Sequence, residues 1–297
     1  MKPHLGNSSS SSTLSAFFSY GLLTVLALFS VGPFIWLCLT ALKGPTDNIF
    51  DVTQPLPSQW TLDNFSAVWK QVELGRYMLN SLWVAALTIG MNLVVSTLAA
   101  YPLSRMNFTG QGVITGLILS TMMIPFQVIL IPLYLQVLSL GLTDYSTAGT
   151  LFGGFQPVNV YMGLLIPFAI SGFGIFFMRQ AMLNIPKDLE EAALLDGCNP
   201  WQTLWYVFVP LLKPSLATLA IFTLMASWGE FLWPSVVLNE EAHFTLPMGL
   251  VYLQGAFSSN WRLIAAGTLL SMLPMLILFL LFQRVFVGGT FAGAVKS

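Results

Sequence analysis

Charge is scarce in this sequence. Of 297 residues, 11 are Lys or Arg and 12 are Asp or Glu, so 8% is charged against 56% hydrophobic, and the mean hydropathy is +0.76. A soluble core cannot absorb that much apolar surface without far more polar cover, which excludes a soluble globular protein and implies several crossings of a lipid bilayer. A net charge of −1 offers nothing to a phosphate backbone, so no nucleic acid is expected as a partner. Cysteine is nearly absent: Cys38 lies in an apolar run and Cys198 in a polar one, which supports neither a disulfide framework nor a metal site. His4 and His243 are the only histidines, which argues against zinc chemistry. No G-x-x-x-x-G-K-[ST] loop is present to cradle a nucleotide, and no Ser–His, Cys–His or H-E-x-x-H arrangement suggests a protease. The chain is therefore expected to be no enzyme and to carry no cofactor. Ion-driven carriers usually need charges within their spans, and only Lys213 and Glu230 come near that, both close to span ends.

What the sequence does have is six long apolar runs, at about 14–42, 77–104, 111–138, 160–178, 207–228 and 263–287, each near the roughly 20 residues that a helical crossing needs. The expected fold is all-α and integral to the membrane, with six transmembrane helices over 14–297 and a disordered polar tail over 1–13. The first run is too long for a cleaved signal peptide and reads as a retained anchor. Lys43 to Glu73 reads as a solvated loop, and Leu140 to Asn159, with Leu142 and Asp144, as an external and partly re-entrant one. Asn239 to Trp261, which includes Ser258, reads as a polar loop. Pro125 and Pro132 should kink the third run and pack on protein rather than lipid. Ser171-Gly172-Phe173-Gly174 suits close helix packing. Placing both termini in the cytoplasm puts Lys2, Arg105, Arg179, Lys187, Lys213, Arg284 and Lys296 inside, against Lys43, Lys70, Arg76 and Arg262 outside, the direction the positive-inside rule requires.

The polar stretch Ile185 to Leu211, IPKDLEEAALLDGCNPWQTLWYVFVPL, separates two apolar blocks. Pro186 suits the first turn of a helix, and Asp188, Glu190 and Glu191 lie where its dipole is positive. Gly197 suits its stop, and Asn199-Pro200 the cap and first turn of another helix. On composition alone the stretch reads equally as an acidic surface loop.

Its spacing, Glu191-Ala192-Ala193, three residues, Gly197, nine residues, then Val207-Phe208-Val209-Pro210, resembles the EAA motif of binding-protein-dependent ABC importer permeases. Valines stand at both aliphatic places. The flanking residues are similar to the carbohydrate-uptake branch, the maltose- and glycerol-phosphate-permease-like subunits. Further matches run from Arg76 to the C-terminus: Asn80-Ser81-Leu82, the Ala-Tyr-x-Leu-x-Arg ending at Arg105, WGEFLWP at 228–234 with Gly229 for the usual Asn, and the final GGTFAGAVKS.

The resemblance implies a type I permease fold in a prokaryotic cytoplasmic membrane, with a coupling loop at about 185–206 that docks on an ABC ATPase dimer through Asp188, Glu190, Glu191, Ala192, Ala193, Asp196 and Gly197. ATP and Mg²⁺ would be bound on that ATPase. It implies a second homologous permease, and an external or periplasmic solute-binding protein that touches the 239–261 loop. The solute would be a sugar or polyol. Trp228, Glu230, Phe231 and Trp233 are the candidate pathway residues, the aromatics serving equally as an interfacial belt. Spans without a buried cation suit an uncharged solute. The alternative is a single-chain facilitator or secondary carrier for a small neutral solute.

Overall fold

The computed structural model describes residues 9–51, 53–144, 156–256 and 260–291. Lys2, most of the N-terminal tail, residues 145–155 of the external loop, Ser258 and the last six residues, with Lys296, lie outside the described residues. Among those described, the regular secondary structure is helical, with one isolated bridge between Lys43 and Trp60. It divides into two compact units, 1–71 with 253–270, and 72–252 with 271–297.

In the first unit, α1 runs Ser9–Leu42, so residues 9–13 are helical rather than a disordered tail. Phe17 and Phe29 stand more than four-fifths exposed on it, as a lipid-facing anchor requires. The segment after it is largely exposed, as expected of a solvated loop, but it is also internally hydrogen-bonded. Lys43 is 2% exposed, its Nζ donating to Asn48 O and Gln54 O at 3.1 and 3.2 Å and lying 5.7 Å from the Trp36 ring centroid. The last carbonyls of α1 would be orphaned without partners. Asn64, on α2 (Asp63–Gln71), donates to Ala41 O and Lys43 O, and Thr61 N donates to Leu42 O. The Arg262 guanidinium donates to Asp47 O, closing the loop.

The second unit is organised on α3 (Leu74–Arg105), which packs against most of its neighbours. Its buried stripe, Tyr77, Ser81, Ala85, Thr88, Asn92, Ser96, Ala100 and Leu103, has helical spacing but is small and polar. That composition suits a membrane interior, where helices gain nothing from leaving lipid and associate by close packing and hydrogen bonds. α4 (Gln111–Thr121) and α5 (Phe126–Ser139) form one bent pair, at 98°. α6 (Gln156–Ala169) and α7 (Gly172–Leu183) form a second, at 45°. α8 is Asp188–Leu195 and α9 is Pro200–Gln202. A π-helical turn, Thr203–Phe208, and α10 (Val209–Leu211) then meet α11 (Lys213–Trp228) at 76°. α12 (Leu232–Val237), α13 (Leu246–Ala256) and α14 (Trp261–Phe291) complete the chain.

Among the described residues three helices are long and apolar enough to cross a membrane alone, and each bent pair passes the same test jointly. The 98° break sits at Pro125, which has no N–H to continue α4, but Pro132 lies within α5 without ending it. Both prolines are exposed on this chain, contrary to the expected packing. The run expected at 207–228 is likewise divided at Leu212, where Pro214 falls in the first turn of α11. Lys213 opens that helix, exposed at its N-terminus.

Two other expectations are corrected. The loop 239–261 contains the eleven-residue α13, too short to read as a crossing and too weakly patterned to read as anything else. Leu142, expected in an exposed loop, is fully buried. Gly141, at φ +72°, ends α5 with a Schellman motif, Leu142 N donating to Val137 O and Gly141 N to Leu138 O, which turns Leu142 into the core with Leu164 and Trp233. The Gly-rich segment behaves as read. Ser171 caps α7 by accepting from Gly174 N at 3.1 Å, and a Cβ on Gly174 would collide with Ser96 Oγ and Asn92 Oδ1 of α3.

Candidate functional site

The polar stretch opens with α8, whose first turn holds Asp188, Glu190 and Glu191 at the positive end of the dipole. It ends in a second Schellman motif: Gly197 has φ +82°, its N–H donates to Leu194 O, and Cys198 N donates to Ala193 O. Asn199 then forms a capping box with Gln202, its Oδ1 accepting from Gln202 N and its N donating to Gln202 Oε1 at 2.9 and 2.8 Å. The surface so presented is mixed. Asp188, Glu191, Ala192, Asp196 and Gly197 are exposed, beside Leu194, Leu195, Trp201, Trp205 and Tyr206, with Leu195 89% and Tyr206 75% exposed. These apolar side chains stand beside acidic ones on the same polar stretch. Two of the expected contact residues face the chain instead. Ala193 is buried, and Glu190 lies 3.5 Å from Arg105.

Arg105 enters the sequence reading only as a charge marker and as the close of Ala-Tyr-x-Leu-x-Arg, with no partner assigned. Its side chain is 3% exposed. The guanidinium donates to Ile185 O at 2.6 Å and to Met182 O, reaches Glu190 Oε2, and lies 4.9 Å from the Phe208 ring centroid. Tyr101 meets the same ring edge-on at 5.5 Å. Arg105 therefore satisfies carbonyls at the end of α7 while holding α8 and the π-helical turn. Arg179 of α7 returns the contact, its Nε donating to Leu103 O near the end of α3 at 2.9 Å. The signal available in the sequence was the Arg that closes Ala-Tyr-x-Leu-x-Arg.

At the other end of α3 a second network holds the segment 239–246. Asn80 Nδ2 donates to Ala242 O and Phe244 O at 2.9 and 3.0 Å, and Tyr161 OH donates to Asn80 Oδ1 at 2.9 Å. Ser81 Oγ accepts from Leu246 N at 2.8 Å. Asp144 Oδ2 accepts from Asn239 N and Glu240 N at 2.9 and 3.0 Å, and its Oδ1 lies 2.8 Å from His243 Nδ1. The hydrogen bond to Asp144 raises the His243 pKa against an opposing desolvation. Burial pushes the Asp144 carboxyl up, but His243 and the two backbone N–H groups outweigh it and the net shift is downward. Asp144, Glu240 and His243 also bring potential ligand atoms within 4.8 Å of one another. Both Asp144 oxygens already accept hydrogen bonds, so the trio is explained as a loop staple.

A cavity of about 330 Å³ opens within the same unit, lined by residues of α3, α6, α7, α11 and α12 and of the links between these helices. Glu230 and Trp233 line it, whereas Trp228 and Phe231 do not. Trp233 is fully buried, its Nε1 donating to Gly163 O at 3.1 Å and its backbone N to Glu230 Oε1 at 3.0 Å, so it is a fixed wall and not part of an interfacial belt. Trp228 is buried and Phe231 partly exposed. Phe173 and Phe222, which the sequence reading passed over, line the cavity as an edge-to-face pair at 5.7 Å.

Residues 92–290 match the family described as binding-protein-dependent transport system inner membrane component. The chain is 37% identical over 267 residues to the probable ABC transporter permease protein YurM of Bacillus subtilis, covering 89% of this chain and 83% of that protein. It is 34% identical over 282 residues to the arabinooligosaccharide transport permease AraQ of Halalkalibacterium halodurans, covering 92% and 93%. A solved bacterial ABC transporter involved in import of the acidic polysaccharide alginate has a chain similar in fold, with TM-score 0.76 and 24% identity over 94% of this chain and 99% of that one. These relatives are transport permeases, and they set aside a single-chain carrier. The chain belongs to the binding-protein-dependent transport system inner membrane component family, as a multi-pass membrane protein that serves as an ABC transporter permease subunit.

Proposed function

We propose that this chain crosses the membrane six times, three helices crossing alone and three bent pairs crossing as units, with both termini in the cytoplasm. The stretch 185–206 is then the cytoplasmic coupling element. α8 and the residues after it dock on an ABC ATPase dimer, which binds ATP and Mg²⁺; a second homologous permease completes the pathway. An external solute-binding protein delivers the solute to the 239–256 side. Relatives named for arabinooligosaccharides, lactose and diacetylchitobiose favour an oligosaccharide as that solute.

The observation that carries the reading is the exposed apolar and acidic face of α8 and the π-helical turn, tied through the buried Arg105 to α3 and α7. A docking face on a flexible loop would dissipate a partner's movement. One fastened to two spans by a buried, multiply bonded guanidinium carries it into them.

The test is a reconstituted complex in which ATP hydrolysis, uptake and co-purification of the ATPase are measured together. Glu191→Lys should lose ATPase association by reversing an attraction to a basic partner surface, with normal membrane insertion. Retained association and uptake would remove the coupling role. For topology, Cys198 should react with an impermeant thiol reagent only after the membrane is opened, and a cysteine introduced by Ala242→Cys should react in intact cells. The reverse order would overturn the orientation.

A further inference from the structure

Resting on the permease reading, the structure assigns to this chain a solute subsite of its own, selective for an uncharged sugar unit over a uronate. The 330 Å³ cavity lies near the lower limit for ligand pockets, enough for part of an oligosaccharide and not the whole. Its chemistry is uneven in a way that matters. Glu230 is the one ionisable residue among those lining it; no Lys, Arg or His is present.

Much of the remaining polar lining is already engaged. Thr88 and Thr223 donate back to Val84 O and Leu219 O, and Ser81 and Ser171 accept backbone N–H groups. Two groups stand apart. Thr245 Oγ1 is buried with no hydrogen-bond partner, in a residue 4% exposed. Asn92, 5% exposed, accepts from Ser96 through Oδ1 while its Nδ2 donates to none of the described residues. Of the two, the Asn92 amide is the donor that a ligand hydroxyl would engage, whereas Thr245 Oγ1 has no surface open to the cavity. Phe173 and Phe222 supply an apolar wall for the C–H face of a sugar ring, and the Glu230 carboxylate is an acceptor for its hydroxyls. For a uronate the same carboxylate is a like charge in a low-dielectric space, with no cation nearby to compensate it.

The experiment uses the full complex in proteoliposomes, with Cys38 and Cys198 replaced by serine and a single cysteine introduced by Ser227→Cys on the cavity wall. Maleimide labelling is followed with a mixture of neutral gluco-, galacto- and arabino-oligosaccharides, or with oligogalacturonates of matched length. The neutral mixture should slow labelling at least about threefold once it exceeds its dissociation constant. Oligogalacturonates should not slow it. Glu230→Gln keeps an acceptor for Trp233 N while removing the charge, and should narrow the neutral-to-uronate preference by about tenfold. ATP-driven uptake of a neutral component without protection of the introduced cysteine would overturn the subsite while leaving the importer reading intact. Equal protection by oligogalacturonates, or an unchanged preference in Glu230→Gln, would overturn the selectivity. Vesicles that take up neither mixture would contradict both readings.

Discussion

The two ends of α3 solve one problem by different chemistry. Asn80 and Arg105, about 38 Å apart along the helix, each hold backbone carbonyls of a distant segment. Asn80 does so with a neutral amide, and the charges nearby, Asp144, His243 and Glu240, lie at the edge of the loop. Arg105 does so with an almost fully buried guanidinium that needs Met182 O, Ile185 O, Glu190 and the Phe208 ring together. A buried ion missing one partner is strongly unfavourable, whereas a neutral group losing one hydrogen bond forfeits much less. The expected consequence is a brittle Arg105 end, engaged or broken as a unit, and a more graded Asn80 end.

The sharpest way to break this contrast is Arg105→Leu. It should destabilise the Arg105 end by about 3–5 kcal/mol, seen as a lowered unfolding midpoint of the purified complex and lost uptake, while the 239–246 segment stays protected. Arg105→Lys should restore little, since an ammonium cannot span those acceptors or stack on Phe208. Asn80→Leu tests the other end, where unpairing Ala242 O, Phe244 O and the Tyr161 hydroxyl should cost about 1–3 kcal/mol. Its signature is faster hydrogen exchange over 239–246 with ATPase co-purification unchanged. Equal losses of ATPase association in both variants would erase the distinction.

Gly197→Val is expected to cost about 1–2 kcal/mol, because a β-branched residue resists φ +82°. No atom lies within 4 Å of the Cβ it would add, so the effect should be on the end of α8 and on coupled hydrolysis rather than on packing. Leu142→Val, in contrast, removes packing from a fully buried side chain and is not expected to be silent.

The smallest effect concerns pH. Because the folded His243 pKa is raised, its contribution is fully present below the ordinary histidine value of about 6.5 and is lost as pH rises through the raised value. Asp144, shifted downward, contributes above the ordinary carboxylate value and loses that as pH falls through its lowered value. Protection of the 239–246 amides, corrected for intrinsic exchange, should therefore weaken towards alkaline pH and again in strong acid. His243→Asn should flatten the alkaline slope and, because His243 also lowers the Asp144 pKa, reduce the acid one; an unchanged alkaline slope would remove the Asp144–His243 staple from the account.

What could be read from residues in order is what depends on near neighbours. The apolar runs declare the membrane because twenty consecutive uncharged side chains have no other favourable solvent. Gly197 and Asn199-Pro200 mark a helix stop and start because φ preference and capping act within a few residues. The tertiary structure decided what depends on distant partners. Glu190 turns inward because Arg105, 85 positions away, offers a buried charge. Leu142 enters the core because Gly141 directs it beneath a surface that residues far along the chain supply. The cavity's single carboxylate has meaning only once five helices and their links have been brought around it and none has contributed a cation.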